Sequence, residues 1–325
     1  IRDRLRRAVS FPSQMADAAT ESAPTGTASH IPGGAARSAL PEDLHAWMLL
    51  LGVTVVAGIW SWARVEGALM ADVVEYLERA RAFVRGEELV DARMIRAAGI
   101  TVLHAPVLWI AGVLGVDEGP WILRYAACIH VAITALFVVA TVHLGRALAA
   151  AAGRDGARCR ATGWLAGGCA LTSPTLAQYA AIPMTDIAAS GALALGMVHA
   201  LHGPATARAG AAAGAWLGLA VLCAFKTIPL VAITIAVGLV TRVALDGLRP
   251  TLRFAGAGFA ALSALAVIQC TFDLVTYGTF GIGLWRYLCI NFGPTFGTFL
   301  YERGIFVDLG QRIYFYATSL YDDSS

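Results

Sequence analysis

Three ionisable side chains stand where an apolar chain should not carry them. Asp72 opens the charged stretch MADVVEYLERARAFVRG at residues 70–86, directly behind an apolar run, while Asp186 sits in QYAAIPMTDIAASGALALG and Lys226 in GLAVLCAFKTIPLV. Charge within or at the end of a hydrophobic span is expensive and is usually kept for a function. Two carboxylates and one lysine brought to a single membrane surface suit a transfer from a lipid phosphate. One carboxylate takes the proton of an acceptor hydroxyl as general base, and the cation holds the phosphate leaving group and offsets its developing charge. No nucleotide is needed. Each residue also has a structural reading: Asp72 and Glu75 as solvated charges on a surface helix, Asp186 as a carboxylate at a helix N-terminus, and Lys226 as a side chain snorkelling to lipid phosphates.

Whether the three can meet depends on the elements that carry them. Of 325 residues, 58% are hydrophobic and 14% charged, against about 25% charged in a soluble domain. The composition is that of an integral membrane protein. Its apolar runs are continuous rather than alternating, which disfavours a β-barrel. They fall near 44–63, 100–116, 121–145, 161–181, 184–201, 211–225, 227–241 and 254–276, so helices of near-spanning length are expected. The net charge is only +2, and no basic patch with interleaved aromatics points to nucleic acid. Cysteines 128, 159, 169, 223, 270 and 289 form no CxxC pair and mostly lie in apolar runs, so they read as free thiols. Residues 1–43, which open with IRDRLRR and are rich in Ser, Ala, Gly, Thr and Pro, are expected to form a flexible cytoplasmic tail. No small-residue cleavage site follows the first apolar run, so that run should stay as an anchor.

Arginines set the orientation. Residues 146–160 hold Arg146, Arg154, Arg158 and Arg160, and residues 242–253 hold Arg242, Arg249 and Arg253; short loops of this kind belong in the cytoplasm. With the basic N-terminus also inside, one run must fail to cross. ITVLHAPVLWIAGVLGV at 100–116, short and carrying His104 and Pro106, is placed at the outer interface or as a re-entrant segment. The expected architecture is all-α: a polytopic membrane protein with about seven transmembrane helices over 44–276, an interfacial segment at 64–120, and an extracytoplasmic C-terminal segment at 277–325. The charged stretch becomes an amphipathic helix on the outer leaflet, with Val73, Val74, Leu77, Ala80 and Val84 on one side and Glu75, Glu78, Arg79 and Arg85 on the other. Asp72, Asp186 and Lys226 then emerge on one face.

Other signals are weaker. GAAAGAWLG places Gly210, Gly214 and Gly218 on one helix face, a pattern for close helix packing. His199 and His202 are three apart on a helix with no third ligand in view, so no metal is expected there. His130 and His143 are expected to be satisfied inside the bundle. The chain has no GxSxG, no HExxH, no phosphate-cradling glycine loop and no fixed-period repeat.

The order of MADVVEYLERARAFVRGE, HAPVLWIAGVLGV, SPTLAQYAAIPMTDIAASGAL, GLAVLCAFKTIPLV and DLVTYGTFGIGLWRYLCINFG resembles the GT-C superfamily of polytopic glycosyltransferases. The pattern is most similar to the dolichyl-phosphate-mannose-protein mannosyltransferases and the bacterial aminoarabinose transferase and its kin. The resemblance runs over about 44–320 and rests on the order and spacing of short motifs. It implies that Asp72, followed by Glu75 and Tyr76, is the catalytic acid/base of the first outer loop, and that Asp186 and Lys226 match a second Asp and a Lys of the family. It also implies interfacial helices in that loop. Two departures stand out. Ala71 precedes Asp72 where Gly is common, and Val73 and Val74 follow where a second acid is common; and the chain stops near the seventh span, so it is expected to hold the shared seven-span module.

The expectation is therefore an inverting glycosyltransferase that takes a sugar from a polyprenyl-phosphate donor at the extracytoplasmic face of a bacterial-type inner membrane. Asp72 serves as base, Asp186 orients the acceptor or positions Lys226, and Lys226 with Arg124, Arg286 or Arg303 holds the donor phosphate. Glu75, Tyr76 and His104 have secondary places. No cofactor or divalent metal is expected beyond the lipid-phosphate sugar, and the partners are membrane lipids, that donor and other integral membrane subunits. The alternative is a non-catalytic scaffold subunit, derived from the same module, in a larger membrane complex. A transporter is disfavoured by the lack of an ionisable residue in mid-span.

Overall fold

A computed structural model describes residues 42–64, 71–87, 97–115, 121–180, 185–304, 309–314 and 316. The expected tail over 1–43 lies almost wholly outside the described residues. Those residues are helical: α1 Glu42–Arg64, α2 Ala71–Arg85, α3 Gly99–Val113, α4 Trp121–Ala151, α5 Gly156–Leu171, α6 Pro174–Tyr179, α7 Thr185–His202, α8 Ala207–Cys223, α9 Ile228–Asp246, α10 Leu248–Tyr277 and α11 Ile282–Glu302. A 3-10 turn, Phe225–Thr227, links α8 to α9. Three stretches, Arg124–Ala151, Phe225–Asp246 and Leu248–Tyr277, are long and apolar enough to cross a membrane, while Trp47–Ile59, Gly99–Val113 and Ala207–Cys223 are apolar but shorter. The helical make-up is that of a membrane protein.

Packing follows the rule for lipid, where close approach rather than hydrophobic exclusion holds helices together. Small residues lie inside: among the described residues, more than half of the buried apolar ones are alanine, whereas Leu49, Val56 and Ile59 on α1 and Ile233, Val237 and Val240 on α9 face outward. Along α8, Gly210 and Gly214 lie so near α10 that an added Cβ would strike the carbonyl oxygens of Phe254 and Gly258, and one at Gly218 would stand 2.9 Å from Leu265 Cδ1. The glycine spacing thus serves close packing, as the sequence predicts.

Contacts fix the direction of each helix. Gly58 packs on Val131, and Leu50 lies with Val142, so α1 runs against α4. Gly163 and Gly167 meet Arg146 and Val142, so α5 does too. Gly191 meets Phe137, and Leu195 clusters with Ala140, so α7 runs with α4. Ala192 lies with Val231 and Ala200 with Gly238, which makes α9 parallel to α7. Ala200 clusters with Ala209, and Gly196 meets Leu217, which sets α8 against α7; α10 is parallel to α8. Hence α1, α5, α8 and α10 finish at the end where α4, α7 and α9 begin. The arginine-bearing connections α4–α5 and α9–α10 lie at the opposite end.

α2 and α3 pack at the first of these ends. Arg79 of α2 donates from Nη1 to Tyr277 Oη at 2.7 Å, and the Phe83 ring lies 5.3 Å from that of Phe272; both partners belong to the last turns of α10. Ala98, before α3, donates its N–H to Gln269 Oε1 at 2.8 Å, and Gly99 abuts the backbone of Leu222 and Cys223. The chain leaves α1 and enters α4 at this end, which is the arrangement that a non-crossing run at 100–116 requires.

Three details correct the sequence reading. The run at 161–181 is two helices, because α5 stops at Leu171 and Ser173 caps α6, its Oγ accepting from Leu176 N at 3.5 Å, with Pro174 as first helical residue; proline starts a helix easily but cannot continue one. Second, the split of α2 into an apolar and a charged side is incomplete: Leu77 and Ala80 are buried and Glu78 and Arg85 exposed as expected, but Arg79 is buried and Val74 is exposed. The helix packs on α3 and the end of α10, and Arg79 enters that contact paired to Glu75 Oε1 at 2.5 Å. Third, His130 is buried with both ring nitrogens lacking a hydrogen-bond partner among the described residues, its ring stacked 5.5 Å from that of His104. His143 stacks on Trp47 at 5.4 Å. All six cysteines are free thiols.

At the opposite end Arg242 closes α7. Its Nε donates to Ala200 O at 3.0 Å, and Nη2 donates to His199 O at 3.0 Å and Gly203 O at 2.8 Å, with the guanidinium 3.8 Å from the Phe254 ring centroid. A helix C-terminus leaves carbonyls without partners and carries partial negative charge, and one buried guanidinium answers both. Arg242→Ala is expected to cost about 3 kcal/mol, since bonds to a charged group are each worth ~1.5–3 kcal/mol and do not add. A fall in the thermal unfolding midpoint in detergent reads this, and Arg242→Lys should restore only part of it, because an ammonium lacks the fork geometry.

Candidate functional site

The site forms where α7 begins and α8 gives way to α9. α8 stops at Cys223 because Ala224 turns extended, at φ −154 and ψ 115, and Pro229 occupies the first turn of α9. The intervening turn is pinned from below: Phe225 and Thr227 are buried, Thr227 Oγ1 donates to Ala224 O at 2.8 Å, and the Phe225 ring lies 5.3 Å from that of Tyr287. Lys226, between two anchored neighbours, is left to project. Its Nζ pairs with Oδ1 of Asp186 in the first turn of α7, the two side chains being 61% and 47% exposed. An ion pair this exposed contributes about 0–1 kcal/mol, so stability is a poor reason for it. Asp186 also sits where a helix N-terminus favours a carboxylate; capping and pairing are thus compatible roles.

Beside this pair lies a cavity of about 400 Å³ between α4, α5, α6 and α7, lined by Phe137, Ala170, Ser173, Thr175, Leu176, Asp186, Ile187 and Ser190. Volumes of roughly 300–1,000 Å³ are usual for small-molecule sites. A second, apolar cavity of about 270 Å³ lies under Phe225 between α8, α9, α10 and α11.

The remaining candidates are distributed unevenly. The backbone of Asp72 belongs to the first turn of α2, whose later turns pack at this same end, while its side chain lies outside the described ones. Glu75 is engaged by Arg79, and Tyr76 is 5% exposed, wedged into the packing of α2. His104 is buried against His130, with Nε2 lacking a partner among the described residues, so it offers no surface contact. Arg124 is exposed in the first turn of α4, and Arg303 is exposed just beyond α11. Arg286 stands on α11 next to Tyr287, whose ring touches Phe225. Of the three arginines, it is therefore the one on a segment drawn to the Lys226 turn by a defined contact. His199 and His202 gather no third His, Cys, Asp or Glu ligand among the described residues.

One buried network escaped sequence reasoning. Gln269, whose Oε1 accepts from Ala98 N, donates from Nε2 to Asp273 Oδ1 at 2.8 Å, and Asp273 Oδ2 accepts from Gly283 N at 2.8 Å. Asp273 is fully buried. These side chains tie the starts of α3 and α11 to the end of α10. The available signal was a polar pair four residues apart inside an apolar run, which places both on one helix face. Compared with known proteins, the chain matches no protein-family model, no curated protein and no solved structure.

Proposed function

We propose that the chain is a glycosyltransferase of the GT-C kind, using a polyprenyl-phosphate sugar at the extracytoplasmic face of a bacterial-type membrane. The observation that carries the reading is the exposed Lys226–Asp186 pair, joined across forty residues of sequence at the end where α2 packs. The arginine-bearing connections at the other end support that end as cytoplasmic, with α1, α4, α5, α7, α8, α9 and α10 as seven crossings. In the reaction, Asp72 takes the acceptor hydroxyl proton as the oxygen attacks the anomeric carbon. The bond from that carbon to the phosphate oxygen breaks, its electron pair leaves with the polyprenyl phosphate, and Lys226 offsets the charge. Arg286 supplies a second cation and Asp186 holds Lys226. The products are an inverted glycoside and the lipid phosphate.

The test is the purified chain in liposomes with radiolabelled polyprenyl-phosphate mannose or aminoarabinose and a membrane extract as acceptor source, following the polyprenyl phosphate released. Wild type should consume one of these donors, and Lys226→Ala should be slower by on the order of 10²-fold, the usual loss when a group that stabilises developing charge is removed. An inert wild type that co-purifies in fixed stoichiometry with other integral subunits would replace the enzyme by the scaffold reading.

A further inference from the structure

We infer that the cavity between α4, α5, α6 and α7 binds a neutral, hydroxyl-rich ring, the sugar unit itself. The inference deepens the transferase reading and rests on it for the identity of the sugar's carrier. The lining holds hydroxyls at Ser173, Thr175 and Ser190 and a carboxylate at Asp186, against apolar walls of which Phe137 and Leu176 are part. Hydroxyls donate and accept, and a carboxylate accepts up to about four bonds, so the polar wall suits a ligand that presents several O–H groups. Among the described residues, none that lines the cavity is cationic. An anion placed here would face the Asp186 carboxylate, whose counter-charge Lys226 is already engaged at Oδ1, whereas a polyol can lay its C–H groups on Phe137 and Leu176 and donate its hydroxyls to Asp186 and the serines.

The elements make this a built arrangement. Ser190 follows Asp186 by four residues on α7, so the two project from one helix face. Ser173 is fixed as the cap of α6, accepting from Leu176 N and retaining its own O–H to donate. The Asp186 carboxylate has its Oδ1 taken by Lys226. Asp186 is thus shared between the cation proposed for the phosphate and the cavity proposed for the sugar, which places the bond to be broken at their boundary.

The experiment is saturation-transfer NMR on the full chain in lipid nanodiscs, with methyl α-D-mannopyranoside, methyl β-D-glucopyranoside and methyl 4-amino-4-deoxy-β-L-arabinopyranoside as probes and inorganic phosphate as the anionic comparison. At least one glycoside should bind, and Thr175→Val and Ser190→Val should each weaken it by about tenfold, the loss of one hydrogen bond. Ser190→Trp should abolish it. Thr175 and Ser190 are exposed side chains, so thermal unfolding of the two valine variants should match wild type. Absence of glycoside binding, binding that survives Ser190→Trp, or preference for phosphate would each overturn the assignment. Because the readout is binding, it is separable from turnover: a glycoside held by a chain that consumes no donor sinks the transferase reading and spares the cavity, and the reverse result does the opposite.

Discussion

Asp72→Asn is expected to slow donor consumption by about 10²–10⁴-fold, the range that a positioned general base supplies, with membrane expression and thermal unfolding unchanged. The substitution keeps the size and helix position of the side chain and removes only its ability to take a proton. Glu75 is the informative comparison. Its carboxylate is committed to Arg79, which also reaches Tyr277 at the end of α10. Glu75→Gln should therefore lower the unfolding midpoint while the protein that stays folded keeps its turnover. Full turnover in Asp72→Asn would remove Asp72 from the base role, and loss of turnover in Glu75→Gln without loss of stability would move the role to Glu75.

The second large effect is on folding. Gly214→Val is expected to cost about 3 kcal/mol or more, at or above the usual range for overpacking, out of a total stability of roughly 5–15 kcal/mol. The reason is geometric: an added Cβ would strike the backbone of Gly258, which has no rotamer to change, so α8 and α10 must separate. Among the described residues, these two helices make the most contacts of any pair. Gly256, two residues from Gly258 on the same helix, has no described atom within 4 Å of its would-be Cβ, so Gly256→Ala should instead stabilise by about 0.5–1 kcal/mol through helix propensity alone. Recovery of monodisperse protein and its unfolding midpoint separate the two, and equal behaviour of both variants would dismiss the close-contact explanation.

Much of the fold was legible in the apolar runs because length and continuity are one-dimensional properties. Thus α1, α7 and α9 begin within two residues of the expected starts. The α5–α6 break was present in the sequence as Ser173-Pro174, yet the surrounding apolar residues masked it. Arg79 was misplaced for a different reason. A helical projection sorts residues by angle but does not say what lies opposite each angle, and on α2 Arg79 meets a tyrosine and a neighbouring helix end while Glu78 and Arg85 on the same side face outward. Asp273 went unassigned since nothing local marks its partners, Gln269 on its own helix and Gly283 beyond a turn, as one network. The nearness of Asp186 and Lys226 was inferred from the parity of crossings, and the ion pair makes that nearness direct.

The parallel clasp of α8 and α10 has a consequence for biosynthesis. These two helices leave the ribosome separated by α9, so their glycine-to-backbone seam cannot close until α10 has been made and laid beside α8. Until then, α8 presents a bare ridge of small residues, against which any other narrow helix can lodge. Synthesis that pauses shortly after α9 should for that reason yield a species that insertion chaperones retain and membrane proteases remove.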